Sequence, residues 1–199
     1  TMAQWNLTRL AEALLPLLAD NEDAAIADAQ AALERFGPSF QQAYHDGLRR
    51  KLGLEDERPE DAELIGAILQ AMTANRVDFT LFFRNLGLAV IGDDEPARSL
   101  FIDPTVFDRW AEQWRDRLAK NEREPSDRRA AMDAVNPAFI PRNHRVEAMI
   151  QAAVDEEDSG PFYEMVELIA RPYDDQPALA HYARPPQDHE RVLATYCGT

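Results

Sequence analysis

An all-α fold is what this sequence predicts, and three observations carry it. Apolar residues recur every three or four positions through most of the 199 residues. No stretch of useful length alternates apolar and polar residues as a half-buried strand does. Helix start and stop signals also fall between the periodic segments, Asp103-Pro104 being the clearest start. Together they predict an irregular multi-helix domain over residues 1–170, with a candidate hinge near 121–127. An extended, Pro-rich C-terminal tail follows over 171–199, ending in a Cys motif.

The first helix spans 4–19, with Leu7, Leu10, Leu14, Leu17 and Leu18 on its apolar face and Pro16 tightening its end. A second begins near Glu22, where acidic residues suit a helix N-terminus, and Gly37-Pro38 is expected to end it. "DNEDAAIADAQ" (20–30) is acidic like a calcium loop, but Ala25 stands where the turn needs glycine, so it reads as that N-terminus. Phe40, Tyr44, Leu48 and Leu52 mark a third helix that Gly53 closes in the left-handed conformation. A fourth opens at Pro59 and buries Leu64, Ile65, Ile68, Leu69 and Met72.

Asp78 caps a short helix, and Asp103-Pro104 opens one carrying Phe107, Trp110, Trp114 and Leu118. That stripe has the spacing of core packing rather than of a ligand-stacking surface. Pro125-Ser126 precede a shorter helix, "NPAFIPRN" breaks the chain, and Gly160-Pro161 separates the last two helices.

The net charge of −15, from 36 acidic and 21 basic residues, argues against nucleic acid as a partner, because a phosphate backbone would be repelled. "LRRKLGL" (48–54) is the densest basic patch and reads as a solvated helix face. The apolar runs Leu14–Leu18 and Leu86–Ile91 are far too short to span a membrane, and no cationic leader precedes an apolar segment. One cysteine cannot form an internal disulfide, which fits a reducing compartment.

No catalytic, cofactor-binding or metal-binding residue is assigned in these 199 positions. The eight glycines are scattered rather than gathered into a phosphate loop. His45, His144, His181, His189 and Cys197 lack metal-ligand spacing. Cys197 has His181 and His189 near it in sequence, which does not make a catalytic dyad. Asp174 and Asp175, adjacent in an extended segment, point apart, so bonding to neighbouring helices is their expected use.

The tail "RPYDDQPALAHYARPPQDHERVLATYCGT" resembles the C-terminal end of the selenoprotein O family, pseudokinase-fold protein adenylyltransferases. The matching motifs are Arg171–Pro177, Tyr182–Pro186 and the near-terminal Cys197. "AQWNLTRLAEALLPLL" (3–18), "DFTLFFRNL" (78–86) and "NPAFIPRNHRVEAMIQAA" (136–153) extend the resemblance over essentially the whole chain.

The resemblance implies the C-terminal half of a kinase-like fold, a piece of a longer protein. The longer protein would transfer AMP from ATP, with Mg2+ or Mn2+, to protein Ser, Thr or Tyr hydroxyls. Its nucleotide, metal and transfer residues would lie in the N-terminal catalytic part, which becomes this chain's principal partner beside the protein substrates. A bacterial cytoplasm, or a mitochondrion in a eukaryote, is the implied location. The four tail prolines would lower the entropy lost on docking, and Cys197 would act as a redox or regulatory thiol gating the enzyme. The competing class is an acidic helical interaction scaffold without catalysis. A large uncovered apolar face favours the enzyme part, and a fully covered surface favours the scaffold.

Overall fold

The computed structural model describes residues 2–194, and among them the fold is all-α, with no strand. The chain separates into two compact units, Thr1–Leu48 and Arg49–Thr199.

The first unit holds α1 (Met2–Leu18) and most of α2 (Glu22–Lys51). Asn21 accepts from the Ala24 amide at 3.0 Å, while Glu22 and Asp23 fill the first turn, as the start signal predicts. One expectation fails here. Gly37-Pro38 does not end the helix, which runs on for 30 residues with Pro38 inside it. An internal proline costs about 3 kcal/mol. Opposing that cost, the rings of Phe36, Phe40 and Tyr44 form a ladder past the proline, with centroids 5.8 and 6.3 Å apart. Arg49, Arg50 and Lys51 complement the C-terminal end of the dipole.

At the start of the second unit the chain leaves α2 through a Schellman turn. The Leu54 amide donates to Arg49 O at 2.9 Å, the Gly53 amide to Arg50 O at 3.1 Å, and Gly53 has φ +72°. The helix expected to open at Pro59 begins two residues later, as α3 (Asp61–Asn75). Asp61 holds Pro59 and Glu60 in a turn: its carboxylate accepts from the Arg58 amide at 2.9 Å, and its own amide donates to Arg58 O at 3.0 Å. Asp78 caps α4 (Phe79–Ala89) by accepting from Leu81 N at 2.9 Å, as expected. A short α5 (Glu95–Arg98) was not anticipated. Asp103 caps α6 (Pro104–Leu118), and Pro125 opens α7 (Pro125–Asp133).

These elements enclose an aromatic core. Phe82 is fully buried, with Phe83, Phe101, Trp110 and Phe107 around it at centroid distances of 5.2, 5.7, 6.1 and 6.4 Å. Trp110 and Trp114 stack at 5.6 Å, and each indole N–H finds a carbonyl: Leu64 O at 3.0 Å and Leu52 O at 2.9 Å. The stripe on α6 is therefore core.

Buried arginines tie the loops to this core. Arg128 donates to Gly53 O at 2.6 Å, to Asn121 O at 3.0 Å and to Leu118 O at 3.3 Å, spanning the polar segment after α6. The solvated-face reading of "LRRKLGL" holds only for Arg50, which is exposed. Arg49 is buried, and half-buried Lys51 donates to Val135 O at 3.0 Å and to Asn136 Oδ1 at 3.2 Å. Position on the helix decides which of three adjacent cations faces inward.

Candidate functional site

The two remaining helices, α8 (Asn143–Asp155) and α9 (Gly160–Ala170), form the platform on which the tail lies. Their inner faces meet a small core of Phe139, Met165, Leu168 and Tyr182, with Ala138, Met149, Leu179 and Ala183 packed against it. Tyr182 belongs to the tail, so the tail is an integral part of this core.

Polar contacts fasten the tail along its length. Pro172 O accepts from the amides of Ala138 and Phe139 at 2.8 and 3.1 Å. Gln176 donates to Leu168 O at 3.1 Å and Arg171 O at 3.0 Å, satisfying carbonyls at the end of α9. Arg84 of α4 donates to Asp175 at 2.6 Å and to the carbonyls of Asp133 and Asn136 at 3.2 and 3.1 Å. Asp175 thus bonds a neighbouring helix, as its position in sequence suggested, whereas the Asp174 carboxylate faces Arg171 at 3.8 Å within the tail itself. Arg145 donates to His181 O at 3.1 Å.

Tyr182 donates its hydroxyl to Glu164. Burial pushes that hydroxyl's pKa up, and the Glu164 bond and charge add to it, taking it to about 12. The hydroxyl therefore stays protonated at neutral pH and donates to Glu164. Past Tyr182 the chain is extended at Arg184 and Gln187, and it closes a 3₁₀ turn over Asp188–Glu190. There Gln187 N donates to Glu190 at 2.8 Å. The tail combines 3₁₀ turns with extended linkers, because Pro177 opens one turn and Pro185-Pro186 lie in a linker.

Cys197, the one residue singled out for a redox or regulatory role, lies outside the described residues. The histidines are dispersed: His45 on α2, His144 on α8, and His181 and His189 in the two 3₁₀ segments. Among the described residues, no group of three or more His, Cys, Asp or Glu side chains is placed to hold a metal ion.

The start of α8 was not anticipated as a feature. Arg142 occupies its N-cap and supplies no capping acceptor; instead it grips Asp78 through two bonds of 2.7 and 3.1 Å. Burial works to raise the Asp78 pKa, but the Arg142 bonds and the Leu81 amide outweigh it and hold that carboxyl below its ordinary value. The sequence did carry a signal: an arginine stands where a helix usually opens on Ser, Thr, Asp or Asn.

The first unit shows a different surface. An open apolar cavity of about 400 Å³ between α1 and α2 is lined by Leu7, Leu10, Leu14, Leu18, Leu33 and Phe36. No residue of α1 is buried, and Trp5, Leu10 and Leu17 are 58%, 53% and 81% exposed. No helix among the described residues is long and apolar enough to cross a membrane.

Comparison with known proteins gives consistent matches. Residues 1–170 match the family model described as "Protein adenylyltransferase SelO". A "Protein nucleotidyltransferase YdiU" of Rhodopseudomonas palustris (strain BisB18) is 55% identical over 199 residues, covering 100% of this chain and 40% of the relative. Its namesake from Bradyrhizobium sp. (strain ORS 278) is likewise 55% identical over the whole chain and 40% of its own length. That of Methylorubrum extorquens (strain PA1) is 53% identical over 206 residues, 100% of this chain and 41% of the relative. The chain thus spans about 40% of the length of these curated relatives, corresponding to their C-terminal portion.

Proposed function

The chain belongs to the protein adenylyltransferase SelO family, and from that premise we propose that it is the helical supporting portion of an AMP-transferring enzyme. In the complete protein a substrate Ser, Thr or Tyr hydroxyl attacks the α-phosphorus of ATP, pyrophosphate leaves, and a base takes the hydroxyl proton. That step needs a metal ion and cationic stabilisation of the phosphates. The part of the protein outside this chain would supply ATP and Mg2+ or Mn2+ binding. Protein substrates are the other partners, and the bacterial relatives fit a cytoplasmic location.

The observation that carries the reading is the uncovered apolar face of α1 and α2. Leaving Trp5, Leu10 and Leu17 open to water is costly, each large side chain losing about 1.5–3 kcal/mol of burial. The chain accounts for 40% of a relative's length, so there is ample protein to cover that face. A scaffold that ends at its own surface does not need such a face. Leu10→Glu separates the two cases. In the isolated chain it shifts stability by no more than about 0.5 kcal/mol. In the complete protein it buries a charge and lowers both melting temperature and AMP transfer. Equal, small effects in both would sink the interface reading.

On the same reading the fastened tail serves to deliver Cys197 to the catalytic part. There its thiol and a second cysteine thiol would give up two protons and two electrons to a disulfide oxidant, forming a reversible S–S bond that gates activity. A non-reducing gel of the complete protein tests this. The gating reading expects a mobility difference between oxidised and reduced samples that Cys197→Ser removes, and identical mobilities contradict it.

A further inference from the structure

Three of the buried polar side-chain atoms left without a partner sit within four residues of one another: Arg142 Nε, His144 Nε2 and Arg145 Nε. Buried polar groups in a folded protein are almost always satisfied, so a cluster of orphans marks either a ligand or ordered water. Arg142 is the N-cap of α8, and His144 and Arg145 lie in the first turn of this 13-residue helix, whose N-terminus has no side-chain cap. Arg145 N and Val146 N donate to Arg142 O at 2.8 and 3.0 Å, which leaves the Asn143 and His144 amides as the uncapped donors of that turn.

A cavity of about 510 Å³ opens on this turn, lined by Arg142, Asn143, His144, Pro186, Arg191 and Leu193 among others, and no carboxylate among the described residues lines it. An adjoining cavity of about 720 Å³ shares His144 and Arg191 and brings in Arg145, His189, Glu147 and Glu190. Glu190 is occupied, accepting from Gln187 N and Arg184. Both arginines on the first cavity face carboxylates: Arg142 grips Asp78, and Arg191 Nε lies 3.3 Å from Asp188 Oδ1, an exposed pair with which a bound anion can compete. His144 is 7% exposed. Burial lowers its pKa, and the neighbouring Arg145 and Arg142 charges add to that, against an opposing effect of Glu190. The shift favours the neutral imidazole, whose Nε2 is left without a partner.

We propose that the N-terminus of α8 is a binding site for a phosphate-class oxyanion, held by the Asn143 and His144 amides, His144 Nε2 and the Arg191 guanidinium. Uncapped amides, the positive end of the helix dipole and a guanidinium together favour a tetrahedral oxyanion. The inference stands independently of the AMP-transfer reading, since it rests on donors within this chain.

The test is a titration of the chain with orthophosphate and, separately, with pyrophosphate, with ionic strength held constant by chloride. Amide and imidazole 1H–15N shifts of Asn143 and His144 are the readout. Saturable shifts confined to this turn are expected with at least one of the two anions, and which one saturates at lower concentration identifies the source. Arg191→Ala, an exposed site that leaves the fold unaltered, weakens binding about three- to tenfold. His144→Phe weakens it further, read at the Asn143 amide. The proposal is overturned by absence of a saturable shift with both anions, or by an unchanged affinity in Arg191→Ala. Tighter binding of succinate than of either phosphate would also overturn it, marking a seat for a carboxylate.

Discussion

Replacing Asp61 by Ala lowers the unfolding free energy by about 3–5 kcal/mol, a large part of what an ordinary domain has. Asp61 and Arg117 are each 2% exposed, and their two bonds measure 2.6 and 3.2 Å. Arg117 also donates to Asp56 O and Oδ1 at 2.8 and 2.9 Å and to Asn121 at 2.9 Å. Burial works against the guanidinium charge, and the bonds to Asp61 and Asp56 outweigh it, raising its pKa. Because arginine cannot shed its proton, losing Asp61 leaves the buried guanidinium with the half-exposed Asp56 as its remaining carboxylate partner. It also frees the Arg58 amide that shapes the turn into α3. The double variant Asp61→Leu/Arg117→Met costs far less than the single one, since it removes both charges. Denaturant unfolding checks both. A single-variant loss under about 1 kcal/mol would show that the pair is not sealed from water.

Gly53→Val ranks next, at about 2–5 kcal/mol, the sum of a backbone and a packing cost. The φ of +72° puts Gly53 in the left-handed region, where a side chain costs about 1–2 kcal/mol and a β-branched one more. A Cβ there would also lie 2.8 Å from Met132 Sδ and 3.2 Å from Arg128 Cγ. Both neighbours are buried, so the overlap adds about 1–3 kcal/mol. Gly66 provides the opposite sign: it is exposed inside α3 with nothing within 4 Å of an added Cβ. Gly66→Ala should stabilise by about 0.5–1 kcal/mol. Thermal unfolding of the two variants, moving in opposite directions, is the check.

What could be read in advance divides along physical lines. Asp78, Asp103 and Gly53 were legible because caps and left-handed turns depend on one residue's own chemistry. The α6 stripe was legible from periodicity, and its burial followed. Pro38 misled because a proline's local cost does not reveal the ladder and long helix that offset it. Arg49 and Lys51 misled because three adjacent cations look alike until the helix is oriented against Asn136. The pairings Asp61–Arg117 and Arg142–Asp78 were invisible for a related reason. Their partners are distant in sequence, 56 residues away for the Asp61–Arg117 pair and 64 for Arg142 and Asp78. The family motifs identified the tail, and packing of Tyr182 explains how it is held.

The central claim is that this chain supports AMP transfer without performing it. The most direct measurement is incorporation of labelled AMP from ATP into protein, with Mg2+ or Mn2+, comparing this chain with the complete protein. The account predicts label from the complete protein and none from residues 1–199 alone. Labelling by the chain by itself would contradict it and place the active site within these helices.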